Sequence, residues 1–179
     1  IRDSFSMEDG TRVRSYYSGF RTEKFEERTI IDKPGPTTRL IQFDGTVSAF
    51  DKDCADCPAQ YATSKETPSQ KWEKVTKTLS QLDTSKLHYV KVPENHIVID
   101  FDIPDENGNK CFDLNLAEAS KWPPTYAEVS KGGQGIHLHY IYTGDPTKLS
   151  RIYDDHIEVK VFTGKSSLRR KLTKFNNCL

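Results

Sequence analysis

Strict alternation over His96-Ile97-Val98-Ile99-Asp100-Phe101-Asp102 constrains this chain more than any other feature. A period of two makes the segment a strand, with Ile97, Ile99 and Phe101 on one face and Asp100 and Asp102 on the other. Aspartate is poorly suited to strands, and two carboxylates on one face repel each other. A divalent cation between them relieves that repulsion, and Mg²⁺ commonly links carboxylates to substrate phosphates. Taken alone, the segment is explained equally well as a strand end with an acidic, solvated face.

Two further segments repeat the design. In Gln134 to Tyr142, Ile136, Leu138, Tyr140 and Tyr142 alternate with His137 and His139. In His156 to Phe162, Ile157, Val159 and Val161 oppose His156, Glu158 and Lys160. If the three strands share a sheet, one face is apolar and the other holds three carboxylates, three histidines and a lysine. Such a face suits metal and phosphate.

The 179 residues suffice for one domain with its own core. The sequence holds no run of 18 apolar residues and shows no signal peptide, so no membrane partner is expected. Lys and Arg (26) balance Asp and Glu (26), which argues against wholesale coating of nucleic acid. The balance is uneven, however: residues 159–179 carry Lys160, Lys165, Arg169, Arg170, Lys171 and Lys174 and no acid. That stripe suits a polyphosphate or a nucleic-acid backbone, and a solvated basic tail equally. Four cysteines do not make a disulfide scaffold. Cys54-Ala-Asp-Cys57 has the spacing of half a zinc site; two free cysteines in a loop are favoured over a structural Zn²⁺, since no second pair follows.

Along the chain, residues 1–35 are charged, with Tyr16, Tyr17 and Phe20 as expected anchors and a turn at Lys33-Pro34-Gly35-Pro36. Asp44-Gly45 suggests a hairpin within Arg39 to Phe50. Ser69 to Leu82 reads as an amphipathic helix with Trp72, Val75, Leu79 and Leu82 on one side. Further expectations are a strand at Tyr89 to Val92, a helix near Asp113 to Lys121, and a strand at Tyr126 to Ser130. The last leads into the turn Lys131-Gly132-Gly133-Gln134-Gly135, whose glycines let backbone N–H groups approach an anion. A plain tight hairpin is the simpler account of that turn.

Together these segments resemble the catalytic core of the archaeo-eukaryotic primase superfamily, the primase-polymerases. Ile97-Val98-Ile99-Asp100-Phe101-Asp102 is similar to its first motif, a hydrophobic strand ending in Asp-x-Asp. Ser130-Lys131-Gly132-Gly133-Gln134-Gly135-Ile136-His137 resembles the glycine-rich second motif of phage and plasmid members and of the polymerase domain of bacterial end-joining ligases. His156-Ile157-Glu158-Val159-Lys160 matches the third, a carboxylate on a hydrophobic strand. The resemblance covers roughly residues 88–175. Gln134 stands where some relatives are basic, and Glu158 where many have aspartate.

The resemblance implies an α/β (α+β) primase-polymerase fold with an RRM-like catalytic sheet. Residues 88–179 would form the core, and 1–87 the N-terminal part of one domain or a small accessory lobe. It implies template-dependent joining of NTPs or dNTPs on single-stranded DNA, with Asp100, Asp102 and Glu158 holding two Mg²⁺ or Mn²⁺ ions. His137 completes the implied catalytic set and also meets the incoming nucleotide, together with Ser130, Gly133 and Gly135. Lys131, Lys165, Arg169 and Arg170 are weaker candidates for triphosphate or template contacts. A helicase domain or protein is an implied neighbour, and the cytoplasm of a bacterial or phage-infected cell, near the nucleoid, the implied place. Two alternatives stand beside it. His137-Leu138-His139 is also the His-x-His pattern of replication-initiator endonucleases, with Tyr153 as nucleophile, although that leaves Asp100 and Asp102 without a role. The other is a non-catalytic nucleic-acid-binding module on the same fold.

Overall fold

The three alternating segments lie side by side in one sheet. The computed structural model describes residues 39–178, together with the backbone of two short strands, β1 (Ser4–Ser6) and β2 (Arg12–Ser15). The expected anchors Tyr16, Tyr17 and Phe20 and the turn at 33–36 lie outside the described residues. The protein is mixed α/β, with two antiparallel sheets and little helix. Helix α1 spans Ala49–Asp53 and α2 spans Phe112–Ala119. The remaining strands are β3 (Ala59–Tyr61), β4 (His88–Val90), β5 (His96–Phe101), β6 (Ala127–Val129), β7 (Ile136–Tyr142), β8 (Ile152–Asp154), β9 (Ile157–Val161), β10 (Leu168–Arg170) and β11 (Phe175–Asn176). Among the described residues no helix is long and apolar enough to cross a membrane.

The central sheet runs β1-β2-β7-β5-β9-β8. β6 pairs with the first half of β7, β2 with its second half, and β11 extends the sheet beyond β6. Its apolar face is the one read from the sequence: Ile97, Ile99, Phe101, Leu138, Tyr140 and Val159 pack on Ala119 and Trp122 at the end of α2. The other face is only half covered. At the Val98 end, β10-β4-β3 and α1 form a second layer, with Val98, Tyr126, Phe50, Leu79, Val90 and Leu168 in a second core. β3 lies before residue 88 and pairs with β4 beyond it, so the three-stranded sheet straddles the boundary between 87 and 88.

A buried polar network joins the two layers. Arg170 of β10 directs Nε to Glu128 Oε2 of β6 at 2.7 Å and a terminal nitrogen to Asp51 Oδ1 of α1 at 2.5 Å. Its guanidinium also lies 4.4 Å from the centre of the Phe50 ring and 3.3 Å from His88 Nε2. The Tyr126 hydroxyl donates to Glu128 Oε2 at 2.6 Å and lies 2.7 Å from Ser48 Oγ. Ser48 in turn accepts the Asp51 N–H as the N-cap of α1.

Two expected elements are absent. Ser69 to Leu82 is not a helix; it forms 3₁₀ turns at Trp72–Lys74 and Leu79–Gln81. The chain between them is extended because it pairs with the β3 edge: Ala59 N–H donates to Lys77 O, and Leu79 N–H to Cys57 O. β-Branched Val75, Thr76 and Thr78 resist helix locally, and Thr78 and Gln81 close a capping box instead. Leu79 is buried as the pattern required, yet without a helix. The hairpin within 39–50 does not form either. Residues 42–47 are held by the far end of the chain, with Gly45 N–H donating to Phe175 O, Asn176 Nδ2 to Gln42 O and Asn177 Nδ2 to Val47 O. A Cβ at Gly45 would stand 2.5 Å from the Phe175 ring, so the glycine serves close approach rather than a turn.

The buried network predicts strong coupling. Arg170→Met, leaving Glu128 and Asp51 facing each other with their cation gone, is expected to cost about 3–5 kcal/mol in urea unfolding. Adding Glu128→Met should restore part of that loss, and additive costs would show that the pair does not act as a unit.

Candidate active site

Where the second layer stops, the polar face of the central sheet opens to solvent, and the register decides what is displayed. Asp100 of β5 stands opposite His137 of β7 on one side and Glu158 of β9 on the other. Directly opposed residues share a face, so the second and third motifs flank the first. His137 Nε2 is 3.1 Å from Asp100 Oδ1, and Lys160 Nζ is 3.1 Å from Asp100 Oδ2. Glu158 and Asp102 are exposed, and Asp102, just past β5, donates its backbone N–H to His156 O at 2.9 Å.

The Asp100 side chain is only 17% exposed. Burial pushes its pKa upward, but the hydrogen bond and charge of His137, followed by Lys160, outweigh it and hold the carboxyl at about 2. Two carboxylates facing each other across β5 and β9 repel, and Lys160 supplies the positive charge that Asp100 requires. Among the described residues no three His, Cys, Asp or Glu side chains stand together in metal-holding geometry. At this site, both Asp100 oxygens are turned to His137 and Lys160.

The glycine turn is built for close approach. Ser130 Oγ accepts the Gly135 N–H at 2.9 Å, and Ser130 O accepts from Gly133. Gly133 has φ +86°, which favours glycine, and a Cβ at Gly135 would meet Ser130 Oγ at 2.9 Å and Phe101 O at 3.1 Å. The turn is also anchored from below by Asn115 of α2, which the sequence reading did not single out. Its Nδ2 donates to Gln134 O at 2.9 Å, and its Oδ1 accepts from Ile103 N at 2.7 Å. One buried amide thus fixes both the glycine turn and the segment following Asp102. The signal was an asparagine on the helix face shared with Phe112 and Ala119, three and four residues away.

The remaining candidates separate. Lys165 is exposed in the turn after β9. Lys131 and Arg169 are half-exposed, and both bind Glu66. Arg170, expected among the phosphate contacts, is instead buried, since Glu128 and Asp51 take its charge inside the fold. His139 shares a face with His137 but lies in the covered half, between Phe50 and Tyr126, with its Nδ1 2.9 Å from His96 Nε2. Burial pushes the pKa of both His96 and His139 down, which keeps them neutral. Tyr153 packs against Trp122 on the opposite side of the sheet, ring centres 4.9 Å apart. Cys54 is buried at the end of α1, and a hydrogen bond from it lowers the pKa of the half-buried Cys57.

Comparison with protein-family models, curated proteins and solved structures gives no match to this chain. The site must therefore be read from its own chemistry.

The depressed Asp100 pKa has a consequence for stability. Its contribution is fully present above about pH 4 and is lost as the pH falls through about 2, because the unfolded chain takes up the proton first. The shift from 3.8 to about 2 corresponds to about 2 kcal/mol. Wild type should exceed Asp100→Asn by roughly that amount at about pH 5. Urea unfolding should show the gap narrowing between about pH 4 and pH 2.5, and a pH-independent gap would contradict the assignment.

Proposed function

We propose that this protein is a template-dependent nucleotidyltransferase of the primase-polymerase kind, joining NTPs or dNTPs on single-stranded DNA. The observation that carries the proposal is the row formed by His137, Asp100 and Glu158 at the open end of the sheet, with the glycine turn leading directly into His137. Asp100 and His137 lie 37 residues apart in sequence and His137 and Glu158 21 apart, yet all three meet in one row of the strand register. A primase-polymerase fold with an RRM-like sheet is the finer reading of the mixed α/β architecture.

By kind, three carboxylates are the ligands that hard divalent cations take, although these side chains do not converge in metal-holding geometry. Asp100 and Glu158 face each other, Asp102 follows two residues on, and Lys160 already stands as a cation against Asp100. Asp100, Asp102 and Glu158 are the residues that would hold two Mg²⁺ or Mn²⁺ ions, whose chemistry is to lower the pKa of an attacking 3′-hydroxyl and to stabilise the leaving pyrophosphate. The rest falls to the chain itself. His137 orients the incoming triphosphate by hydrogen bonding, and its contact with Asp100 fixes its ring beside the carboxylates. Ser130 and the N–H groups around Gly133 and Gly135 shape the phosphate cradle. Lys131, Lys165 and Arg169 supply exposed positive charge to phosphates or template, whereas Arg170 belongs to the fold. Cytoplasmic, nucleoid-associated work beside a helicase follows from this reading.

The endonuclease alternative fits the geometry poorly. It needs His137 and His139 together on a metal and a tyrosine within reach, but His139 is buried beneath α1 and Tyr153 faces α2.

Nucleotide incorporation on single-stranded DNA, with and without primer, tests the proposal. Asp100→Asn and Glu158→Gln are each expected to reduce product at least about 100-fold, the loss typical of removing a group that stabilises transition-state charge. Undiminished synthesis in either variant, or a covalent DNA adduct dependent on Tyr153, would overturn the reading.

A further inference from the structure

Glu66 occupies an unusual position between two of the exposed cations. Its Oε1 lies 2.5 Å from Lys131 Nζ and its Oε2 lies 3.0 Å from an Arg169 terminal nitrogen. Each oxygen thus takes one cation, as the two non-ester oxygens of a phosphodiester would. The three residues come from separate parts of the chain: a loop after β3, the glycine turn and β10. Nothing about their sequence spacing requires them to meet.

The loop is shaped to present this carboxylate. Thr63 N–H donates to Thr67 O at 2.8 Å, the two threonine hydroxyls lie 2.8 Å apart, and Glu66 N–H donates to Thr63 O at 2.9 Å. Glu66 itself adopts φ +61°, a left-handed conformation uncommon for a non-glycine residue. The Tyr89 hydroxyl donates to its carbonyl at 2.5 Å, and Tyr89 is the register partner of Arg169. The site therefore combines two cations with a neighbouring aromatic ring, the combination that binds single-stranded nucleic acid by charge and stacking.

We infer that Lys131 and Arg169 form a binding subsite for a backbone phosphate of a nucleic-acid strand, and that Glu66 fills it as an anionic placeholder until the strand displaces it. All three side chains are 42–48% exposed. Ion pairs that open to water are weak and salt-screened, so the placeholder exchanges readily. Glu66 also discriminates: a single weak anion does not displace it, whereas a strand held at several points does. The inference rests on the reading of the protein as one that acts on a single strand, with Glu66 and Tyr89 adding a gate that the three motifs do not contain.

Fluorescence anisotropy with a labelled oligothymidylate, on the full chain without divalent metal, tests it. Glu66→Gln is expected to tighten binding roughly three- to tenfold at low salt and to steepen the salt dependence by about 0.7 for each cation released. Glu66→Asn, which tolerates the left-handed backbone, should do the same, with thermal unfolding verifying the fold. Adding Lys131→Ala and Arg169→Ala to Glu66→Gln should abolish the gain. An unchanged affinity in both Glu66 variants, or a gain that survives loss of both cations, overturns the subsite. A gain seen with a free nucleoside triphosphate but not with the oligonucleotide overturns the assignment to a strand. Because binding is read without catalysis, a Glu66 effect with no synthesis would sink the polymerase reading alone. Synthesis with no Glu66 effect would sink only the gate.

Discussion

The ion pair between Arg170 and Glu128 is the contact on which the architecture depends. It joins β10 of the small sheet to β6 of the central one, and Asp51 brings α1 to the same guanidinium. Removing these charges from water costs several kcal/mol per ion, so the geometry must satisfy them well. It does so with Nε on Glu128, a terminal nitrogen on Asp51, His88 beside the other, and the Phe50 ring against the cation. Burial drives the Glu128 pKa up, yet Arg170 outweighs that and keeps the carboxylate ionised. The network is directional, so its hydrogen bonds are met only at the offset of the two layers seen here.

That offset determines what the polar sheet face can do. Under the second layer, the face is desolvated: His96 and His139 lie against each other and against Phe50, and burial keeps both neutral. One row further along, the cover ends, and Asp100 meets solvent, the His137 ring and the Lys160 ammonium. The same strands β5 and β7 therefore carry structural histidines at one end and a charged site at the other. Residues of one chemical type, two apart on one strand, acquire different roles because the low-dielectric boundary falls between them.

The open end is supported from both sides of the sheet. Asn115 reaches from α2 to hold the glycine turn and the backbone after Asp102, and the Thr63–Thr67 loop brings Glu66 to the rim. Asn115 positions the site without taking part in its chemistry, whereas Glu66 sets its carboxylate against the exposed cations Lys131 and Arg169.

Much of the central sheet was legible in the sequence, because a period of two is a local property. β5, β7 and β9 and their apolar face follow from alternation, and α2 from its helical pattern before Pro123-Pro124. That Asp100, His137 and Glu158 belong to one polar face was readable for the same reason. Their adjacency was not, since strand order is fixed by long-range pairing. Local pattern misled where distant backbone competed for hydrogen bonds: residues 69–82 are extended against β3, and residues 42–47 are held by Phe175 and Asn177. Nor could charge alone separate Arg169 from its neighbour Arg170. Alternation put them on opposite faces of β10, but only tertiary packing made one face solvent and the other the seam between two layers. The sequence by itself determined which side chains share a strand face; the tertiary structure decided which faces stay wet, because burial depends on what packs above.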